Sequence, residues 1–99
     1  MKLTKEKNGS ALTVSLSGEL NTMTAPELSK LLEAELGDTQ ALTLNFAECD
    51  YVSSAGLRVL LATFKQLKAK GGSMALTNVG ENFMDVLQNT GLDAVFDLQ

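Results

Sequence analysis

"CDYVSSAGLRVLL", residues 49–61, decides how the rest of the chain is read. Its first half sets an aromatic and a β-branched residue beside polar ones; its second half becomes a leucine-rich run. From Ser54 onward, Leu57, Leu60, Leu61, Phe64 and Leu67 recur at the spacing of an amphipathic helix, with Leu57 and Leu61 expected in the core, until Gly71-Gly72 stops it. Just upstream, Ala41 to Phe46 reads as a buried central strand. The local order is strand, two serines, helix. In sheets built this way, the loops that leave the carboxyl ends of the strands carry function, so the serines occupy a position of interest.

Working outward, residues 3–7 and 11–17 read as strands, the second by alternation of Leu12, Val14 and Leu16 with Thr13, Ser15 and Ser17. Asn8-Gly9 between them signals a hairpin turn. Thr24 and Glu27 have capping-box spacing, Pro26 suits a first helical turn, and Leu28, Leu31, Leu32 and Leu36 form one apolar face ending before Gly37. Beyond the central helix, Met74 to Thr77 is a short strand, and Phe83, Val86 and Leu87 line a third helix closed by Gly91. Ala94 to Leu98 reads as either a last strand or a short helical tail. Alternating strands and helices predict parallel pairing, with the opening β-hairpin adding an antiparallel strand, so an α/β fold with a mixed sheet and packed helices is expected.

The chain has 99 residues, 44% of them hydrophobic, which suits one domain spanning 1–99. A formal charge of −4 argues against nucleic acid as a partner, since such binders carry a basic excess. No apolar run approaches the roughly 18 residues of a membrane span, and the opening Met1-Lys2-Leu3-Thr4-Lys5 has no apolar leader. A soluble, cytoplasmic protein is expected. Cys49 stands alone, so no internal disulfide and no cysteine cluster for a metal is expected. There is no histidine at all. That removes the usual base for a serine or cysteine nucleophile and the commonest nitrogen ligand for a metal. A Ser-Lys pair stays formally open, but Val52-Ser53-Ser54-Ala55-Gly56 is not a G-x-S-x-G elbow. No catalytic residue, metal or cofactor is expected.

Three roles therefore compete for the serines. One is a helix cap accepting a backbone N–H, a contribution of roughly 1 kcal/mol over alanine. Another is a hydroxyl for an outside kinase: Ser54 and Arg58 are four apart and share a face opposite the core, and a phosphate of about −1.5 to −2 charges would sit at the partially positive end of the helix. A hydrolase nucleophile is the third. Arg58 is either a solvated charge or faces the acceptor side chain and a docked partner. Lys65, Lys68 and Lys70 read as a solvated face.

Three segments then carry a resemblance. "SGELNTMTAPEL" (17–28), "YVSSAGLRVLL" (51–61) and "TGLDAVFDL" (90–98), in this order and spacing, resemble the STAS domain of bacterial anti-sigma factor antagonists over nearly the whole chain. The resemblance implies a mixed four- to five-stranded sheet with helices on one side. It also implies partner switching: the unphosphorylated antagonist binds an anti-sigma factor that is also a serine kinase, and phosphorylation ends the binding, with a phosphatase as a further partner. Aligned on Gly56-Leu57, the family's phosphorylated serine falls on Ser54. Ser53 and Asn21 stand where the family carries aspartate, Asn21 in the Gly-x-Leu-Asp position, which equally suits a turn residue. The implied docking surface is Asn21, Ser53, Ser54 and Arg58. An alternative within the same resemblance is a non-phosphorylated adaptor module in a transporter or stress-signalling complex.

Overall fold

The computed structural model describes all 99 residues. The strands are β1 (Lys2–Asn8), β2 (Ala11–Ser17), β3 (Ala41–Glu48), β4 (Ser73–Thr77) and β5 (Asp97–Leu98). The helices are α1 (Ala25–Glu35), α2 (Ser54–Ala69) and α3 (Glu81–Thr90), with short 3-10 turns at Leu36–Asp38 and Leu92–Ala94. The five strands form one sheet in the order β1-β2-β3-β4-β5. β1 pairs antiparallel with β2, and every later pair is parallel. This is the mixed α/β sheet with an opening hairpin that the alternation of elements predicts.

Strand alternation builds the core. Leu12, Val14, Leu16, Leu42, Leu44, Phe46, Met74 and Leu76 are all buried, and they lie on one face. The pairing sets Val14 beside Leu44 and Leu44 beside Leu76. The helices cover that face with Leu28 and Leu32 from α1, Leu60 and Leu67 from α2, and Phe83 and Leu87 from α3. The Phe46 and Phe83 rings meet at 4.9 Å between centroids. The opposite face carries Thr13, Ser15, Thr43, Asn45 and Thr77, half-buried or exposed, so the helices lie on one side only.

Local details differ from the sequence reading in three places. Asn8 pairs with Ala11, so the two residues at the hairpin tip are Gly9 and Ser10, not Asn8-Gly9. Gly9 alone has positive φ there (64°), which glycine adopts without steric penalty. Thr24 does not make the expected capping box: its backbone is helical, and its hydroxyl donates to the Glu19 carbonyl (2.6 Å). On α2 the fully buried stripe is Gly56, Leu60, Thr63 and Leu67, while Leu57, Leu61 and Phe64 are only half-buried flanks, because the helix rolls its small residues onto the loop below. Lys65, Lys68 and Lys70 are all exposed, as expected of a solvated face, with Lys70 donating to the Leu36 carbonyl and Lys68 5.6 Å from the Phe64 ring. Ala94 to Leu98 resolves into both alternatives, the end of a 3-10 turn followed by the short β5.

Candidate functional site

The loop after β2 and the loop after β3 are fastened together. The Leu20 N–H donates to the Tyr51 carbonyl (3.0 Å) and the Ser53 N–H donates to the Leu20 carbonyl (2.8 Å), a one-residue parallel bridge between Leu20 and Val52. Leu20 and Val52 turn inward and are buried. By alternation, Asn21 and Ser53 lie alongside each other on the outward side, as do Glu19 and Tyr51. Two segments 32 residues apart in sequence thus form one surface because two apolar side chains, Leu20 and Val52, need the same core.

Gly56 explains why α2 starts where it does. A Cβ at this position would stand 2.7 Å from Leu20 Cγ and 2.9 Å from Val52 Cγ1, well inside contact distance. The helix can close on the bridge only because residue 56 has no side chain. The glycine therefore sets how near Ser53 and Ser54 come to the Leu20-Asn21 loop.

The two serines divide the roles that the sequence left open. Ser53 is the N-cap, with extended backbone (φ −83°, ψ 174°), and its Oγ accepts from the Gly56 N–H at a long 3.4 Å. Ser54 is the first residue of α2; it is exposed, and its hydroxyl makes no hydrogen bond within the chain. No general base contacts it. Arg58 is exposed one turn further along the same face. The chain's two ion pairs, Lys5–Glu35 and Lys7–Asp38, leave Arg58 without one. Arg58 also lines a shallow groove of ≈ 260 Å³ between α1 and α2, with Glu33 as the one carboxylate in its wall.

Asn21 has a structural part. Its Oδ1 accepts from the N–H groups of Met23 (2.9 Å) and Thr24 (3.1 Å), and its own N–H donates to Thr24 Oγ1 (2.8 Å). An Asn or Asp at this position closes the turn that leads into α1, because either side chain offers the accepting oxygen. On the far side of the serine loop, Asp50 accepts from Asn82 Nδ2 (2.7 Å), tying the loop to the start of α3.

The fold gathers all four sequence-chosen residues, Asn21, Ser53, Ser54 and Arg58, at the carboxyl end of the strands. Sequence reasoning missed two neighbours. Met23 is 83% exposed and Tyr51 53%, the two most exposed large apolar side chains of the chain. Nothing in a local pattern marks them, since Met and Tyr are ordinary core residues; the bridge turns Tyr51 outward by alternation, and Met23 lies in the turn that Asn21 closes. Cys49 is buried, with its thiol donating to the Tyr51 carbonyl. Burial pushes its pKa up, backbone hydrogen bonds at Leu20 and Tyr51 pull the other way, and the nearby Asp50 and Glu19 carboxylates add to the rise.

Comparison with known proteins identifies the family and the fold. The family described as STAS domain matches residues 2–99. The anti-sigma-B factor antagonist of Bacillus subtilis is 30% identical over 93 residues, covering 94% of this chain and 85% of that protein. An anti-sigma factor antagonist from Mycobacterium paratuberculosis superposes with a TM-score of 0.86 at 30% identity, covering 98% of this chain and 83% of the other. The antagonist SpoIIAA in its unphosphorylated form shares the fold, with a TM-score of 0.87 at 19% identity over 99% of this chain and 88% of its own.

Proposed function

From the premise that this chain belongs to the STAS domain family of anti-sigma factor antagonists, we propose that it is a partner switch whose phosphoacceptor is Ser54. Unmodified, it binds an anti-sigma factor that is also a serine kinase, through the surface of Asn21, Ser53, Ser54 and Arg58. The observation that carries this reading is the division of labour between neighbours: Ser53 holds the helix start, which leaves the Ser54 hydroxyl exposed and unbonded. In the transfer, Ser54 Oγ bonds to the γ-phosphorus of ATP, the bond to the ADP oxygen breaks, and the hydroxyl proton leaves to a base of the kinase. SpoIIAA, which shares the fold, is known in both unphosphorylated and phosphorylated forms.

The physical consequence favours release without unfolding. A phosphate at an exposed first helical residue faces the partially positive helix end. In a complex the same charge would be buried against a surface shaped for a hydroxyl, and a charge desolvated without a matched cation costs several kcal/mol. A phosphatase then returns the chain to its binding state. Incubation with the cognate kinase-like anti-sigma factor and ATP should add one phosphate, located by mass spectrometry on Ser54 and lost in Ser54→Ala. Phosphate on Ser53 would overturn the assignment. Thr63 is a poor rival, since it is buried and its hydroxyl donates to the Val59 carbonyl (2.8 Å).

A further inference from the structure

Resting on that reading of Ser54, we propose that Arg58 is the intramolecular counter-ion of the phosphorylated serine. Modification would then withdraw the guanidinium from the docking surface as well as adding negative charge to it. Three observations converge. The Ser54 hydroxyl is exposed and bonded to nothing. Arg58 lies four residues on, the spacing at which helical side chains are neighbours, with Cβ atoms about 5–6 Å apart. Its guanidinium is exposed and unpaired, whereas Lys5 and Lys7 each hold a carboxylate. Glu33, across the groove on α1, is the only acid in the groove wall beside it, and no N···O distance between them falls within 4.0 Å.

A guanidinium presents a planar fork of donors that matches the oxygens of a phosphate two at a time, which an ammonium cannot do. Before modification, Arg58 is therefore a cation free to meet a carboxylate of the partner. After modification its nearest anion is the phosphate one turn away on the same helix, which is always present at high effective concentration. The partner then loses an attraction and meets a repulsion in a single step. The phosphate also stays tethered to its own domain, its charge partly balanced.

The latch can be read without any kinase. Phosphoserine introduced at position 54 during translation gives the modified chain directly, and 31P NMR follows the second ionisation of the phosphate, ordinarily near pH 6. A nearby cation favours the dianion and lowers that pKa, so Arg58→Gln should raise it by about 0.15–0.4 unit, a change in proton affinity of up to about 2.5-fold. The N–H groups of the first helical turn are the same in both proteins, so the difference reports Arg58. Lys65→Gln, which removes the same charge further along the helix, should leave the phosphate unmoved, and 1 M salt should shrink the Arg58 effect. The Arg58 Nε–H resonance of the unsubstituted phosphoprotein should titrate with the phosphate. An Arg58→Gln shift no larger than that of Lys65→Gln, together with a guanidinium resonance that ignores the phosphate, overturns the latch. Failure of a kinase to modify Ser54 would instead sink the switch reading and leave this measurement standing.

Discussion

On the inward side of the first turn of α2, Gly56 lies against Leu20 and Val52 with no room for a methyl group. On the outward side of the same turn, two residues earlier, Ser54 has its hydroxyl in solvent with no partner in the chain. The first position is fixed by packing on every side, and the second is fixed only through its backbone. A change of chemistry at Ser54 should thus reach whatever docks on the surface and leave the core alone, while a single carbon at Gly56 should reach the whole bridge between the two loops. Separating the two positions by half a turn of helix would let the proposed modification of Ser54 coexist with a rigid scaffold.

The largest expected effect tests the outward side. Ser54→Asp should weaken binding to the kinase-like anti-sigma factor by roughly a hundredfold or more, about 2.7 kcal/mol, while thermal melts stay within the roughly 0.5 kcal/mol of an ordinary surface change. Equal affinities by calorimetric titration would remove Ser54 from the interface. Gly56→Ala tests the inward side. Alanine gains about 1 kcal/mol in helix propensity, yet the displaced Leu20 and Val52 side chains should cost typically 1–3 kcal/mol. A net loss of up to about 2 kcal/mol in urea unfolding is expected, and a more stable variant would show that the bridge has slack.

Smaller effects sharpen the contrast between the serines. Ser53→Ala removes an N-cap and should cost about 0.5–1 kcal/mol, at the low end for caps because the bond is 3.4 Å long. Ser54→Ala should stay within about 0.5 kcal/mol. If the two alanine variants melt together, the cap has been assigned to the wrong hydroxyl. The last effect is confined to alkaline solution. The thiol of Cys49 has its folded pKa raised above the ordinary 9.0, so the folded state holds the proton longer than the unfolded chain does. Its stabilising contribution is complete below the unfolded pKa and is lost as pH rises through the folded one. Cys49→Ala should flatten the alkaline limb of a stability-against-pH curve, and an unchanged slope would mean the thiol is not titrating with unfolding.

What could be read in the chain beforehand follows the range of the forces involved. The leucine periodicity of α2 and the alternation in β2 are local, so both elements were legible within a residue or two of their ends. The choice between Ser53 and Ser54 as cap was not, because either residue type can cap and only the backbone angles at 53 decide. The Thr24-Glu27 pattern misled for a related reason: Asn21 accepts the N–H of Thr24 from outside the helix, and the threonine hydroxyl is drawn to Glu19. Asn21, Ser53, Ser54 and Arg58 were named from a motif, whereas their meeting depends on a contact between Leu20 and Val52 that no window of neighbouring residues contains. The outward turn of Tyr51 depends on that same contact.

The sheet order β1-β2-β3-β4-β5, identical to the chain order, has a consequence in time. Each strand after β1 pairs with the strand that precedes it in the chain, as Leu42 does with Leu12 and Met74 with Leu42, so each new strand needs only the one before it as a template. The β2–β3 and β3–β4 pairings each still close a span of about thirty residues, so they form more slowly than the opening hairpin, whose strands are joined by a two-residue turn. During synthesis, β1 to β3 and the Leu20–Val52 bridge can assemble once α2 has left the ribosome, before β4 and β5 exist. The signalling surface would then be among the first parts of the molecule to take shape, and pulse-labelling hydrogen exchange should find the amides of Leu20 and Ser53 protected earlier than that of Gln99, which bonds to Leu76 on the last edge.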